Sequence, residues 1–256
     1  MDSRRDKTGR NIDLHPLQII IPVYNEAENI GNTLSLIAGK VHTPYTIFII
    51  YDMDTDNTLP VVRKYIDEHS CVNIRLIKNM FGSGVLNAIK TGFDSCSHGV
   101  ALVVMADTSD DIDIVDAMFD KINEGFDLVC GSRYMKGGQQ VGGPLIKKLM
   151  TRTAGVSLHL LTGIPTHDAS NSFKMYRVSL LKEIQIESTG GFELGMEILV
   201  KAFTRGRHIT ELPATWRDRI TGKSRFEIRK WTPHYLQWYF YALRWRYLKG
   251  CMSNNV

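Results

Sequence analysis

Short apolar runs rich in β-branched residues alternate with segments whose apolar residues recur at helical spacing, and this alternation fills the first half of the chain. The strand candidates are Gln18 to Val23, Thr46 to Ile50, Val72 to Ile77, Ala101 to Met105 and Leu128 to Gly131. Between them, Ala27 to Ile37, Pro60 to Glu68, Gly84 to Phe93 and Ile112 to Asn123 read as helices. Crossovers of this length return the chain parallel to the strand before, so the pattern predicts an α/β domain built on a doubly wound, mostly parallel sheet. After Gly131 the rhythm changes to a Gly-rich loop (Gly137 to Gly143), a helix from about Leu145 to Leu161 and a strand near Ser172 to Tyr176. A helix near Glu193 to Thr204 and a strand from His208 to Trp216 complete this part.

With 256 residues, 43% of them hydrophobic and 23% charged, the chain can build one large core or at most two small ones. Repeats and low-complexity linkers are absent from the sequence, so the expected organisation is a single domain. A net charge of +4 is too mild to indicate a nucleic-acid partner. The four cysteines are scattered without the close pairs that zinc or redox motifs need, which predicts reduced thiols in a cytoplasmic protein. Met1 to Arg10 is polar and basic with no apolar stretch after it, so no signal peptide is predicted. Nor does any run approach the roughly 18 apolar residues of a membrane span.

The chemistry gathers at the ends of the strands. Ala101 to Met105 runs straight into Ala106-Asp107-Thr108-Ser109-Asp110-Asp111, and the carboxyl edge of such a sheet is where ligands bind. A carboxylate there suits a divalent metal and a diphosphate, because a hard cation takes oxygen ligands. Upstream, the strand Ile19-Ile20-Ile21-Pro22-Val23 passes through the polar turn Tyr24-Asn25-Glu26 into a helix. Such a turn can present backbone groups and a carboxylate to a ligand.

These motifs come in a recognisable order. Pro22-Val23-Tyr24-Asn25-Glu26, the loop Asp52 to Thr58, Met105-Ala106-Asp107 and Gly131-Ser132-Arg133-Tyr134 together resemble the family 2 glycosyltransferases. Asp168 to Arg177 and Trp216 to Ser224 narrow the likeness to polyprenyl-phosphate sugar synthases of the dolichol-phosphate mannose synthase type. The resemblance spans roughly residues 17 to 230 and implies a GT-A fold, in agreement with the independent reading of the sheet. It implies that Pro22, Tyr24, Glu26 and Asp52 line the pocket for the nucleotide, with Gly84 letting the backbone pass close to it. It also implies that Asp107 holds a magnesium or manganese ion on the donor diphosphate, neutralising charge as the nucleoside diphosphate leaves.

Two departures from the family pattern stand out. Met105 sits where a first metal-binding aspartate is common, and a thioether cannot replace a carboxylate toward magnesium. Ser109, Asp110 or Asp111 are the nearby oxygens that could complete the set, although Asp110 and Asp111 also suit a solvated helix start. In the second-strand loop, Tyr51 and Met53 replace the common aspartate and glycine.

A basic series, including Arg133, Lys147, Lys148, Arg152, Arg177, Arg217, Arg219 and Lys223, falls in the half expected to form the acceptor side. Lys147 with Thr151, and Lys148 with Arg152, are spaced to share helix faces. The resemblance puts Arg133, Lys147 and Thr151 at an acceptor phosphate, which needs such a donor-rich cradle. It puts Arg219, Lys223 and Ser224 in a loop closing over the donor diphosphate, with Ser224 also near the acceptor phosphate. Were the acceptor a sugar hydroxyl instead, Glu193 or Asp168 would be the candidate base.

Trp231, Trp238 and Trp245 recur every seven residues and share one helix face, with Tyr235 between them and Arg244, Arg246 and Lys249 nearby. Rings and cations of this kind suit a membrane interface, so the tryptophan face is expected to lie on the bilayer; packing against the domain or a second subunit is the alternative. The expected layout is a polar tail over 1–15, a GT-A domain over 16–228 and an interfacial helix and tail over 229–256. The expected activity is inverting transfer of a sugar from a nucleotide-diphosphate sugar to a polyprenyl phosphate at the cytoplasmic membrane face, in cell-envelope glycan synthesis. Transfer to a sugar hydroxyl of a glycan or lipid-linked oligosaccharide, and a degenerate nucleotide-sugar-binding protein, are the alternatives. Asp107 and Arg133 are the expected catalytic residues, Asp107 and Ser109 the metal ligands, and a homo-oligomer remains open.

Overall fold

The computed structural model describes residues 16–69, 73–218 and 228–253. The first strand, β1 (Leu17–Val23), is buried along its whole length, as expected of a strand with helices on both faces of its sheet. Alternate side chains feed two cores: Ile20 faces one, while Leu17, Ile19, Ile21 and Val23 face the other. The neighbouring strand β2 (Tyr45–Tyr51) divides in the same way, with Phe48 and Ile50 on one side and Ile47 and Ile49 on the other.

Helices α1 (Ile30–Lys40), α2 (Thr58–Glu68) and α4 (Val115–Asn123) cover one face. The other face carries α3 (Val85–Asp94), α7 (Leu194–Thr204) and the 26-residue α8 (Ile228–Ser253). The sheet has seven strands in the order β3-β2-β1-β4-β7-β5-β8, where β3 is Ile74–Lys78, β4 Val100–Val103, β5 Leu128–Ser132, β7 Lys174–Arg177 and β8 Ile209–Pro213. All pairs are parallel except those of β7, which runs antiparallel between β4 and β5. A second, two-stranded sheet joins β6 (Gln139–Val141) to β9 (Thr215–Arg217).

Several local expectations shift. The first helix starts at Ile30 rather than Ala27, because Asn25 adopts a left-handed φ of 55° and the turn after β1 is held open by Asp56 and Thr58. The expected strand from His208 to Trp216 is two strands in two sheets. Between them, Ala214 donates its N–H to the Ser132 carbonyl at 2.9 Å, and the chain crosses from one sheet to the other. The segment from Ile112 begins as a 3-10 turn to Ile114 before α4. Helices α5 (Leu145–Thr162) and α6 (Val178–Glu183) complete the fold; α5 packs closely on the 167–168 backbone, where a Cβ at Gly155 would meet the His167 carbonyl at 2.3 Å.

The largest correction concerns α8. Its tryptophan stripe faces the protein, not outward. Trp231 and Trp238 are 8% and 2% exposed, and Trp238 belongs to the core above the sheet. Trp231 meets Phe192 edge-on, Trp245 meets Phe203 at 5.2 Å, and Trp238 Nε1 donates to Ser188 Oγ at 3.2 Å. The buried Lys201, paired with Glu197 at 2.6 Å, lies 4.9 Å from the Trp238 ring. Burying large aromatic area against α7 wins over exposing it.

Cys96 and Cys130 are buried free thiols, both pushed up to about 12 by burial, so they are inert packing groups. No described helix is long and apolar enough to cross a membrane.

Candidate active site

A cavity of about 1220 Å³ opens above the carboxyl ends of β1, β2, β4 and β5. Pro22, Tyr24, Glu26, Asp52, Gly84, Asp107, Ser109, Arg133, Lys147 and Thr151 all line it. Arg219, Lys223 and Ser224 lie outside the described residues.

One end is built by the β1 and β2 loops. The buried Asp56 accepts the N–H of Asn25 at 3.1 Å and Thr58 Oγ1 accepts that of Glu26 at 2.9 Å, which fixes the Tyr24–Glu26 turn. Asp52 accepts Asn79 Nδ2 at 2.8 Å on one oxygen and the Gly84 N–H at 2.9 Å on the other. Gly84 needs its φ of 111° to turn into α3, a conformation glycine takes without strain. A carboxylate has about four acceptor positions, so Asp52 keeps capacity for a ligand's donors.

The acidic loop after β4 forms the floor. Thr108 holds φ at 60°, which turns Asp107 and Ser109 toward the cavity, and the Ser109 N–H donates to Asp107 Oδ1 at 3.2 Å. Asp110 and Asp111 are not a solvated helix start. Asp110 is buried and accepts the Met105 N–H at 2.8 Å; burial raises its carboxyl to about 7 against the effect of that bond, with the charge of Asp107 adding to the rise. Asp111 accepts the Thr215 N–H at 2.7 Å and so ties the loop to β9. Both carboxylates are spent on holding Asp107 in place. Among the described residues, no cluster of three or more His, Cys, Asp and Glu gathers into a metal centre. Asp107 with Ser109 still fits magnesium, which binds through one or two carboxylates and takes the rest of its shell from water and substrate phosphates.

The opposite end is cationic. Arg133 leaves β5 and meets Asp168 in a buried two-point pair, Nε to Oδ2 at 2.6 Å and Nη2 to Oδ1 at 2.8 Å. The backbone N–H of Arg133 also reaches Oδ2, at 3.0 Å. Burial disfavours both charges, but the pair overrides it: Asp168 is held below the usual carboxylate range and Arg133 above its ordinary value. Asp168 and Ser170 engage Nε and Nη2, and the guanidinium still lines the cavity. The buried Lys174 donates to the carbonyls of Ala169 and Asn171 and so braces the loop that carries Asp168. On α5, Lys147 and Thr151 turn inward together, with Thr151 Oγ1 2.5 Å from the Tyr134 hydroxyl. Lys148 instead donates to the Gln140 carbonyl at 3.1 Å, and Arg152 is exposed.

Neither candidate base lines the cavity. Asp168 is bound to Arg133, and Glu193, 1% exposed, accepts the N–H groups of Gly190 at 2.8 Å and Gly191 at 2.7 Å. The sequence reading also missed lining residues. Gln140, Ser170, Trp216 and Asp218 contribute, and α8 supplies Trp231, Thr232, Tyr235, Leu236 and Tyr239. Tyr235 donates its hydroxyl to the Phe192 carbonyl at 2.8 Å, and burial, with the charge of Glu193, raises its phenol above the ordinary value. Its place inside the tryptophan repeat was the only sequence signal for it.

Residues 18–185 match the family model described as glycosyl transferase family 2. The chain belongs to that family. A dolichol-phosphate mannosyltransferase of Pyrococcus furiosus is 26% identical over 234 residues, covering 90% of this glycosyltransferase and 64% of the archaeal protein. The chain thus spans less than two thirds of that relative's length. A polyprenol monophosphomannose synthase of Mycolicibacterium smegmatis is 27% identical over 218 residues, with coverage of 81% and 79%. Among solved structures, glucosyl-3-phosphoglycerate synthase of Mycobacterium tuberculosis in complex with Mn2+, UDP and glucosyl-3-phosphoglycerate superposes with a TM-score of 0.63 at 14% identity, covering 91% of this chain and 80% of that one. S. aureus TarS 1-349 gives 0.58 at 18% identity, with coverage of 79% and 60%. These likenesses are of fold, and they agree with a single GT-A domain built on a mostly parallel sheet.

Proposed function

We propose that this glycosyltransferase moves a sugar from a nucleotide-diphosphate sugar to a polyprenyl phosphate, with inversion, at the cytoplasmic face of a membrane. The observation that carries this reading is the acceptor end of the cavity. It offers the cations Arg133 and Lys147, while the two carboxylates that could have served as a base, Asp168 and Glu193, are buried outside the cavity lining and bonded internally. A hydroxyl acceptor must lose a proton as it attacks; a phosphate monoester is already an anion at neutral pH and needs positioning instead. The names of the archaeal and mycobacterial relatives point to the same acceptor class.

In this mechanism the Tyr24–Glu26 turn, Asp52 and Gly84 bind the nucleoside, and Asp107 with Ser109 faces the diphosphate. A magnesium or manganese ion held by Asp107 and Ser109 would supply charge neutralisation for the departing diphosphate. Arg133 and Lys147 hold the acceptor phosphate on the opposite side of the sugar. One phosphate oxygen forms the bond to the anomeric carbon as the bond to the donor's terminal phosphate oxygen breaks, and the nucleoside diphosphate leaves with the electron pair. Asp168 keeps Arg133 aimed, and Tyr134 orients Thr151. Arg219, Lys223 and Ser224 would close over the diphosphate. The proposed layout is a polar tail over 1–15, a GT-A domain over 16–228 and a C-terminal helix and tail over 229–256, with α8 contributing to the cavity wall.

The test is incubation of the protein and a divalent metal with a pool of labelled nucleotide sugars and polyprenyl phosphate, followed by partition into organic solvent. Label in the organic phase, dependent on the acceptor, is the expected result. Label found only in free sugar or water-soluble glycan would overturn the reading.

A further inference from the structure

Asp52 is aimed by residues that stand behind the cavity wall. Asp52 follows β2 and Asn79 follows β3, and the parallel register that pairs Tyr51 with Lys78 brings the two side chains abreast, with the Asn79 N–H donating to the Tyr51 carbonyl at 2.8 Å. The Asn79 amide is fully engaged. Its Nδ2 donates to Asp52 Oδ1 at 2.8 Å and to the Gly82 carbonyl at 2.6 Å, while its Oδ1 accepts the Phe81 N–H at 3.2 Å and the Thr91 hydroxyl at 2.8 Å. Thr91, fully buried on α3, accepts the Met80 N–H at 3.1 Å, so its one proton is left for Asn79. That proton fixes which way the amide faces, because a turned amide would set its oxygen against the Asp52 carboxylate and the Gly82 carbonyl.

We propose that Asn79 and Thr91 are positioning residues for the donor's nucleoside, presetting the Asp52 carboxylate and the 79–84 loop in the geometry that receives it. The proposal rests on the nucleotide-sugar reading above. Exposure of the loop is the first argument. Met80 through Gly84 are all exposed, so hydrogen bonds rather than packing decide the loop's path, and the N–H groups of Met80, Phe81 and Gly84 end on Thr91, Asn79 and Asp52. Ser83 and Gly84 line the cavity beside Asp52 whereas Asn79 and Thr91 do not, so the pair acts on a ligand through Asp52 and the loop. The bonds to Asp52 are the second argument. Each carboxylate oxygen accepts one internal donor, which stops the group from rotating and leaves each oxygen free to accept again. A carboxylate held in this way meets a ligand's N–H or O–H donors without first losing rotational freedom.

Calorimetric titration of the full chain with a panel of nucleoside diphosphates and Mn2+ tests this, with the tightest binder carried through the variants. Thr91→Val, which removes the hydroxyl at almost constant shape, and Asn79→Ala should each weaken that nucleoside diphosphate about tenfold, the share of affinity that one well-aimed bond to a carboxylate supplies. Thr91→Ser should bind like the native protein. Inorganic pyrophosphate with Mn2+ has no nucleoside, so its binding should be the same in every variant as in the native protein. Adding Asn79→Ala to Asp52→Ala should lower affinity less than about twofold further, since a residue that acts through Asp52 then has nothing to position. Hydrogen exchange of the 79–84 amides without nucleotide should quicken in Thr91→Val and Asn79→Ala and stay native in Thr91→Ser. Native affinity in both variants, an equal loss of pyrophosphate binding, or a full further tenfold loss on top of Asp52→Ala would overturn the positioning role. If circular dichroism shows Thr91→Val unfolded, Asn79→Ala decides alone. A native protein that binds no nucleoside diphosphate, with exchange changed as expected, would remove the nucleotide reading and this role with it, whereas tight native binding that no variant alters would remove the role alone.

Discussion

Replacing Asp168 by asparagine removes one buried charge from behind Arg133 and almost no volume. Asp168 is fully buried and the Arg133 side chain is 10% exposed, so the guanidinium would lose its countercharge where water cannot replace it. Breaking a buried pair from one side costs about 3 to 5 kcal/mol, and an asparagine oxygen can still accept one Arg133 bond, which favours the lower figure. For a domain of this size that corresponds to a fall in melting temperature of roughly 6 to 12 °C. Asp168 is held below its ordinary pKa, so its contribution is present above about pH 4 and is lost as the pH falls through the folded-state value. The native advantage over Asp168→Asn should therefore shrink in acid. Thermal unfolding followed by circular dichroism between pH 3 and pH 7 measures both effects, and initial rates at varied acceptor should show a raised Michaelis constant with unchanged donor affinity. Adding Arg133→Met to Asp168→Asn should recover part of the lost stability, because a neutral pair leaves no buried charge uncompensated. A single variant that melts within about 2 °C of native, or a double variant that loses the sum of both single losses, would refute the pairing as the support of Arg133.

Asp107→Ala should lower turnover by about 10² to 10³, equivalent to roughly 3 to 4 kcal/mol, with the melting curve preserved; full activity in excess chelator would remove the metal from the account. Asp110 titrates near 7 in the fold, so the stability linked to its protonated form is complete below about pH 4 and lost as pH rises toward 7; Asp110→Asn should flatten that slope in metal-free calorimetry, by on the order of 4 kcal/mol across the range. Trp238→Ala should cost about 3 to 5 kcal/mol by chemical denaturation, since the ring is 2% exposed in the core, and a near-native midpoint would contradict its burial.

The parts of the fold legible in the sequence are those whose signal is local. Strands β1, β4 and β5 and the centre of β2 are buried on both faces, which leaves unbroken apolar runs such as Leu17–Val23 that read as strands without knowledge of their partners. The insertion of β7 antiparallel between β4 and β5 carries no local mark, because pairing direction is decided by chain segments far away in sequence. Acidic residues were legible as a group and not as individuals. Asp107 faces the cavity while Asp110 and Asp111 hold the loop, a division set by burial and by β9 more than a hundred residues onward. The tryptophan repeat in α8 correctly marks one face of a helix, yet periodicity cannot say whether lipid or protein covers it. Tyr235 was missed for the same reason: on a helix assigned to the membrane, no residue is expected in the cavity.

The central claim, transfer to a phosphate monoester, is tested most directly by 31P nuclear magnetic resonance of a complete reaction containing donor, divalent metal and a short isoprenyl phosphate. A monoester titrates with a second ionisation near pH 6, and a glycosyl phosphodiester has no such step. The account predicts that the titrating acceptor signal is replaced by one that does not move with pH, in step with the release of nucleoside diphosphate. Release of nucleoside diphosphate while the acceptor signal keeps its titration would contradict it.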